Sequence, residues 1–368
     1  MSRRVGFALS LLPVLALACA FAITRDGVRV VPQGDGFVTT LSGRFEAFPL
    51  PDWVSRHLDG PYLSYLVEAE PGIELHVLEV GSGVPVLLLH GNPTSGLLYR
   101  KVAQALPTDR VRVIMPTLVG LGFSSKVPAS DHTLENHVRW LDQVLDRLQL
   151  DELVFAGQDW GGPIGMGAMA RSPERLAGVV VLNTFFEAVD TEGDLSPGHA
   201  LAKRPVLGEL VLENLVSLFE NLPRNQGDPR SLSPEVLALY SRPLTESGNR
   251  KAPLAMMRMV PDGPDHRTTP GMREIEAYVR GLSIPAAIVW GEHDPILGGK
   301  LDAMKRAFPD APVTLTHGGH FLQEEVPTEI ADALMDVVGR LPDPPPDGDA
   351  NRSGTARVAS QAGGASTL

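Results

Sequence analysis

Residues 153–162 read LVFAGQDWGG, an apolar run that leads into two glycines separated by three residues. The apolar run is typical of a buried strand. The small residues beyond it, Gly165, Ala168 and Ala170, are typical of a helix that packs closely against its strand. A strand, a sharp turn and a helix in this order form the layout of a nucleophile elbow, whose central residue projects into a cleft. The central residue here is Asp159.

Asp159 stands where many hydrolases carry a serine, and no Gly-x-Ser-x-Gly sequence occurs anywhere in the chain. This disfavours a serine esterase or lipase and favours a carboxylate nucleophile. The alternative is that Asp159 only caps the helix that follows it. Other segments of the chain have to decide between these two interpretations.

Apolar strand patterns alternate with helical patterns on both sides of this segment. Strands are predicted at 73–80, 84–89, 111–115, 152–156, 179–182, 286–290 and 313–316, and helices at 132–149, 302–308 and 328–340. Most of the strands are continuous apolar runs, as expected where both faces of a sheet are covered. The pattern predicts an α/β fold with a mostly parallel central sheet and helices on both faces.

Residues 184–284 interrupt the alternation with helical fragments, many prolines and no clear strand. Ligands of open α/β folds bind at the carboxyl ends of the strands. We therefore predict that 184–284 forms a helical cap over those ends plus a return helix. This cap is inserted between the two parts of the core, at 45–183 and 285–340.

The two ends of the chain do not fit the core pattern. Arg3 and Arg4 precede an uncharged run with Ala-x-Ala sites, so 1–23 is predicted to be a signal peptide or an N-terminal membrane anchor. The protein would then be exported, periplasmic or attached to a membrane through residues 5–23. The alternative is a buried N-terminal helix in a cytoplasmic protein. Residues 341–368 combine prolines with small polar residues and are predicted to be a disordered tail.

Composition excludes several classes of function. The formal net charge is −12, so a broad nucleic-acid interface, which needs a basic face, is not expected. Cys19 is the only cysteine in the sequence, so neither an intrachain disulfide nor a cysteine-based zinc or iron–sulfur site can form.

The segment HGNP at 90–93 follows the strand at 84–89, where α/β-hydrolases place their oxyanion loop. Gly91 allows a tight turn, so that the backbone N–H of Asn92 can face the nucleophile. The backbone N–H of Trp160 is the natural second donor. The alternative for Asn92 is an ordinary turn asparagine.

Two late segments, GEHDP at 291–295 and GGHFLQEE at 318–325, follow the last two predicted strands. They supply an acid and a base. The chain order Asp159, Asp294, His320 is the nucleophile, acid, base order of the α/β-hydrolase triad.

Neighbouring side chains leave alternatives open in both segments. Glu292 is a rival acid from the same turn, and Asp294 could be an ordinary turn residue before Pro295. His293 and His317 are interpreted as surface or supporting residues rather than as the base.

Four motifs in this order resemble the haloalkane dehalogenase branch of the α/β-hydrolases over residues 70–340: HGNPTS at 90–95, GQDWGG at 157–162, GEHDP at 291–295 and GGHFLQEE at 318–325. The resemblance implies an α/β-hydrolase fold with an inserted helical cap. It also implies a small halogenated hydrocarbon and water as the reactants, with no metal or organic cofactor.

The resemblance further implies two side-chain donors for the halide, Trp160 after the nucleophile and Asn92 in the oxyanion loop. Some family members place a glutamate acid after the sixth strand, but an ungapped count puts Asn183 there. The acid therefore falls to Asp294. Asparagine together with a late aspartate resembles the third dehalogenase subfamily.

The expected reaction follows from the chemistry of a carbon–halogen bond. Asp159 attacks the carbon in line and forms an alkyl ester. His320, oriented by Asp294, then takes a proton from the water that hydrolyses the ester. The products are an alcohol, a halide ion and a proton.

Two other functions remain as alternatives. Epoxide hydrolases share an elbow aspartate but use two cap tyrosines to protonate the epoxide, for which Tyr240 and Tyr278 are the candidates. A non-catalytic binding protein with a covered pocket is the alternative outside enzymes.

Overall fold

The computed structural model describes residues 36–193, 195–212 and 215–342. In these residues one ten-stranded sheet has the order β1-β2-β3-β4-β6-β5-β7-β8-β9-β10. The strands are β1 (Phe37–Thr40), β2 (Gly43–Ala47), β3 (Leu63–Glu70), β4 (Ile73–Gly81), β5 (Val84–Leu89), β6 (Val111–Pro116), β7 (Leu153–Asp159), β8 (Leu176–Thr184), β9 (Ala286–Gly291) and β10 (Val313–Thr316).

The sheet has an antiparallel edge and a parallel centre. β1 to β4 pair antiparallel, and β4 also pairs antiparallel with β6. From β6 onward every pairing is parallel. The strand order reverses around β5, which lies between β6 and β7. Such a reversal opens a crevice beyond the carboxyl ends of the strands.

The predicted α/β class is confirmed, and every predicted strand is present. The predicted start of the core at residue 45 is wrong, because the sheet begins at Phe37. The first two strands are short, and their exposed residues alternate with partly buried ones, so they lack a continuous apolar run. The third, β3, was also not predicted.

Helices cover the sheet and fill the region between β8 and β9. They are α1 (Asp52–Ser55), α2 (Arg100–Ala105), α3 (Leu134–Arg147), α4 (Gly161–Arg171), α5 (Pro197–Ala202), α6 (Leu207–Leu212), α7 (Leu215–Asn221), α8 (Pro234–Glu246), α9 (Lys251–Arg258), α10 (Thr269–Arg280), α11 (Leu301–Ala307) and α12 (Pro327–Gly339). The described residues contain no helix that is long and apolar enough to cross a membrane.

α3 shows how the sequence pattern produces a packed helix. The Thr133 hydroxyl accepts a hydrogen bond from the backbone N–H of Asn136 at 3.1 Å and caps the first turn. Val138, Leu141 and Leu145 recur at helical spacing and are buried. The same face packs the helix onto β3 and α4.

Between β8 and β9 the described residues form helices and turns, without a strand. α10 packs back onto α4 and so returns the chain to the core. The predicted segment 1–23 lies outside the described residues, as does the predicted tail beyond residue 342. Export and tail disorder therefore stay predictions.

A buried ion cluster joins the region of α8 to the core. The Arg100 guanidinium donates to Glu324 Oε2 at 2.9 Å, and the Tyr240 hydroxyl donates to Glu324 Oε1 at 2.6 Å. Lys101 Nζ lies 3.0 Å from the same carboxylate. Because Arg100 and Glu324 are almost fully buried, the loss of either one would leave the charge of the other without compensation in the interior.

A second buried cluster ties the antiparallel strands to the parallel ones. The Arg112 guanidinium on β6 donates to both oxygens of Glu79 on β4, each at 2.9 Å. The Tyr65 hydroxyl on β3 donates to Glu79, and Arg112 also donates to Ser42 Oγ at 2.8 Å.

Replacing Glu79 tests how much this cluster contributes to stability. We expect Glu79→Ala to lower the free energy of unfolding by about 3–5 kcal/mol, because Arg112 is left buried without a counter-charge. The double variant Glu79→Leu/Arg112→Met should recover most of that loss. Chemical denaturation measures both, and a single variant as stable as the parent would contradict the expectation.

Candidate active site

Asp159 ends β7 in the left-handed region, with φ of +50°. α4 begins two residues later, at Gly161. A Cβ on Gly161 would lie 2.1 Å from the Leu89 carbonyl oxygen, so the turn closes onto β5 only with glycine there. The Thr184 hydroxyl, at the end of β8, donates to the Asp159 carbonyl at 2.7 Å. The sharp turn that the sequence predicted is therefore present and braced from both neighbouring strands.

One carboxylate oxygen of Asp159 is held by backbone donors. Oδ1 accepts from the Asn92 N–H at 2.8 Å, and the Trp160 N–H also donates to the carboxylate. A Cβ on Gly91 would lie 2.3 Å from Oδ1, so the oxyanion loop approaches this closely because residue 91 has no side chain. The two backbone donors predicted from the sequence do converge on Asp159.

His320 faces the other oxygen of Asp159. Its Nε2 lies 3.8 Å from Asp159 Oδ2, and its Nδ1 lies 2.9 Å from Asp294 Oδ2. With Nδ1–H assigned to the Asp294 hydrogen bond, the lone pair of Nε2 is directed to the side of Asp159. All three predicted residues are thus brought together in the order nucleophile, base, acid.

Burial and charge oppose each other at these three groups. Burial raises the pKa of Asp159, and the nearby His320 and the backbone donors only partly offset it. Burial alone would lower the pKa of His320, but Asp294 and Asp159 outweigh it and raise that pKa. Burial would raise the pKa of Asp294, yet His320 and the hydrogen bond from Asn183 hold it below the usual value. Of the two carboxyl groups, Asp294 therefore has the lowered pKa and Asp159 the raised one.

Asn183 occupies the position where some dehalogenases carry their acid, and it contacts Asp294. Its amide Nδ2 donates to Asp294 Oδ2 at 2.9 Å and to the Gly291 carbonyl at 3.0 Å. Its Oδ1 accepts from the Gly291 N–H at 2.7 Å. Asn183 therefore orients the acid, a role that the sequence analysis did not assign.

Exposure to solvent distinguishes the rival residues of the late segments from the predicted acid and base. Glu292, His293 and His317 are exposed, whereas Asp294 and His320 are buried. Asp294 is also fixed by the backbone N–H of two following residues, Ile296 at 2.7 Å and Leu297 at 3.1 Å.

The side chains of Asn92 and Trp160 leave N–H groups for a ligand. Asn92 Nδ2 donates to the Pro253 carbonyl on α9 at 3.1 Å, which uses one of its two hydrogens. The Trp160 indole is 2% exposed and packs edge-on against Phe185, with ring centroids 5.2 Å apart. Its N–H has no acceptor among the described residues.

Gln158 is a site residue to which the sequence analysis gave no role. It is fully buried, and its Nε2 donates to the His320 carbonyl at 3.0 Å and lies 3.4 Å from His320 Nε2. Its Oε1 has no partner among the described residues. No spacing rule connects Gln158 with His320, which lies 162 residues later in the chain, so the sequence alone gave no signal for this contact.

Neither tyrosine considered for epoxide protonation is available. The Tyr240 hydroxyl donates to Glu324, and burial, together with that carboxylate, raises its pKa far above the usual value. Tyr278 lies on α10 and lines a cavity of about 700 Å³ between α3, α4 and α10, which includes none of the predicted site residues. The chain has five tyrosines, and two of the others donate elsewhere, Tyr65 to Glu79 and Tyr99 to the Leu89 carbonyl.

The described residues bring together no group of three or more His, Cys, Asp or Glu side chains that could hold a metal ion.

Comparisons with known proteins agree with this geometry. A family model described as alpha/beta hydrolase fold matches residues 84–327. The haloalkane dehalogenase of Psychrobacter cryohalolentis is 30% identical over 297 residues, which cover 78% of this chain and 94% of that protein. The crystal structure of the haloalkane dehalogenase DatA from Agrobacterium tumefaciens C58 matches with a TM-score of 0.68 at 30% identity, covering 78% of this chain and 99% of that one.

A relative with a different named activity has a similar sequence identity to this chain. The cis-3-alkyl-4-alkyloxetan-2-one decarboxylase of Shewanella oneidensis is 31% identical over 267 residues, 70% of this chain and 83% of that protein. Because the family model spans most of the chain and the dehalogenase relatives match over nearly their whole length, the chain belongs to the haloalkane dehalogenases, a family of the α/β-hydrolase fold.

Proposed function

We propose that this protein hydrolyses carbon–halogen bonds of haloalkanes through an alkyl ester on Asp159. The observation that carries the proposal is that the two oxygens of that carboxylate have different partners. Oδ1 is held by the Asn92 N–H, while Oδ2 lies 3.8 Å from His320 Nε2. One oxygen is thus fixed by donors and the other is directed to the side of the base.

In the first step Oδ2 of Asp159 attacks the halogen-bearing carbon in line. A C–O bond forms, the C–X bond breaks and the electron pair of that bond leaves with the halide. The indole N–H of Trp160 and the free N–H of Asn92 donate to the departing halide as its charge develops. This donor pair and the late acid Asp294 support membership of the third subfamily.

In the second step water attacks the carbonyl carbon of the ester. His320 Nε2 takes the proton of the water, and Asp294 stabilises the imidazolium. Negative charge develops on Oδ1, which already accepts from the backbone N–H of Asn92, and the backbone N–H of Trp160 donates to the same carboxyl group. Collapse of this intermediate breaks the C–O bond to the alkyl group, and the leaving alkoxide takes the second proton of the attacking water, which gives the alcohol and restores the Asp159 carboxylate. The imidazolium then releases the first proton to solvent.

The two steps can be separated with variants of Asp159 and His320. We expect Asp159→Ala to lower halide release from 1-iodobutane and 1,2-dibromoethane by about 10⁴-fold or more, because no other nucleophile replaces it. His320→Ala should complete the first step and stop. Mass spectrometry should then find one alkyl group on the peptide that contains Asp159.

His317→Ala is the matched control, since it removes an exposed histidine of the same loop and should turn over normally. An unmodified Asp159 peptide in His320→Ala, with halide still released over many turnovers, would refute these roles.

Tyr240→Phe distinguishes the dehalogenase from the epoxide hydrolase interpretation. The variant loses the 2.6 Å hydrogen bond to Glu324, so its free energy of unfolding should fall by about 1.5–3 kcal/mol. Halide release should stay at the parent level, because the hydroxyl donates to Glu324 and has no step in the proposed dehalogenation. Styrene oxide and a cis-3,4-dialkyloxetan-2-one are assayed beside the haloalkanes. Epoxide turnover that disappears in Tyr240→Phe would favour the epoxide hydrolase.

The charge of Asp159 predicts how the two steps respond to pH. In the free enzyme Asp294 and Asp159 both raise the pKa of His320. Esterification removes the charge of Asp159, so the pKa of His320 should be lower in the alkyl-enzyme than in the free enzyme. Since only neutral imidazole accepts a proton, ester hydrolysis should slow on acidification, but only below the pH at which His320 of the free enzyme becomes protonated.

Single-turnover decay of the ester at each pH gives one pKa, and an NMR titration of His320 in the free enzyme gives the other. The pKa obtained from ester hydrolysis should be the lower of the two. If it equals or exceeds the pKa of His320 in the free enzyme, the charge of Asp159 does not raise the pKa of His320 in this way.

A further inference from the structure

A segment of the cap is hydrogen-bonded to the loop that carries the base. The backbone N–H of His320 donates to the Asn225 carbonyl at 2.7 Å. The next side chain, Gln226, pairs with the main chain of Phe321: its Oε1 accepts from the Phe321 N–H at 2.8 Å and its Nε2 donates to the Phe321 carbonyl at 3.2 Å. The peptide groups on both sides of the His320 side chain are thus fixed from the cap.

The Gln226 amide has its own support. It is 6% exposed, and its Nε2 also donates to Ser231 Oγ at 3.0 Å. Every hydrogen-bonding atom of the amide is therefore engaged, which fixes the side chain in one orientation. A buried amide with satisfied donors and acceptors on both sides holds its partners more firmly than apolar packing does.

Glu325 adds further hydrogen bonds between the loop that carries His320 and the cap segment. Its carboxylate accepts from the backbone N–H of Gly319 at 2.6 Å and from those of Gly227 and Asp228 in the cap segment. A Cβ on Gly319 would lie 2.2 Å from the Asn225 carbonyl oxygen. The loop and the cap segment therefore meet at backbone distance, and a small shift of one displaces the other.

We infer that Gln226 is a positioning residue for His320, through which the cap sets the place of the base relative to Asp159 and Asp294. The inference rests on the proposed function, because only there does His320 act as a base. It adds a specific consequence. His320 takes no proton during attack on the haloalkane, so a misplaced His320 slows hydrolysis of the ester and leaves its formation unchanged.

A purely structural role of Gln226 would have a different signature. Loss of packing lowers the fraction of folded enzyme, and hence the amount of ester formed, but it does not change the rate constants of the molecules that remain folded. The amplitude and the two rate constants of one turnover therefore separate the two roles.

The experiment follows Asp159 alkylation by 1-iodobutane in single turnover, with rapid quench and mass spectrometry of the full chain. Gln226→Met replaces the amide by an apolar chain of similar length. Gln226→Glu keeps the acceptor for the Phe321 N–H and loses the donor to its carbonyl. Gln104→Met, at an exposed glutamine of α2, is the matched control.

We expect ester formation at the parental rate in every variant. Hydrolysis should slow by about 10- to 100-fold in Gln226→Met, because a misplacement of about 1 Å can cost 10²-fold, and by less in Gln226→Glu. Equal slowing of both steps, or reduced amplitude with unchanged rate constants, would overturn the inference.

An NMR titration of His320 tests the inference without turnover. If Gln226 holds the imidazole against Asp294, Gln226→Met should lower the pKa of His320, because the raising effect of that carboxylate weakens with distance. A parental pKa in Gln226→Met would overturn the inference even if the parent enzyme failed to release halide. A lowered pKa with no halide release by the parent would instead support the positioning and refute the proposed function.

Discussion

The whole site depends on a carboxylate held in a backbone conformation that residues with a side chain rarely adopt. Asp159 lies at φ of +50°, where a residue with a side chain rarely stays without support. Support comes from the Thr184 hydroxyl on one side and from the close approach of Gly161 to β5 on the other. Because β5 and β7 are parallel neighbours, the same approach brings the oxyanion loop to the Asp159 carboxylate.

Electrostatics explains why only one of the two neighbouring positions, Asn183 after β8 and Asp294 after β9, carries a carboxylate. A carboxylate at position 183 would lie beside Asp294, and two like charges so close cannot both ionise easily. Asparagine at that position carries no charge, and its Nδ2 donates a hydrogen bond to Asp294 Oδ2 at 2.9 Å. His320 then interacts with one firmly ionised carboxylate at Nδ1 and with the nucleophile at Nε2.

The features that could be predicted from the sequence are those with a local motif or a periodic pattern. The parallel strands read as continuous apolar runs, and Asp159, Asp294 and His320 each follow a strand, so topology alone brought them to one edge. β1 and β2 were missed because they are short and half exposed. Asn183, Gln158 and Gln226 act through hydrogen bonds to residues far along the chain, and no spacing rule connects such pairs. The sequence likewise could not exclude Tyr240 as a proton donor for an epoxide, because only the structure shows that its hydroxyl donates to Glu324.

Under the proposed mechanism, the predicted cap contacts residues that serve both steps of the reaction. On the side of the leaving group, the Pro253 carbonyl fixes the amide of Asn92, which determines where its free N–H points. On the side of the base, Gln226 fixes the main chain beside His320. A cap that moved as one rigid lid would break both sets of contacts at once and release the side-chain amide of Asn92 together with the main chain beside His320. Under the proposed mechanism, the sequence of the cap therefore affects the first step through the Pro253 contact and the second step through the Gln226 contacts.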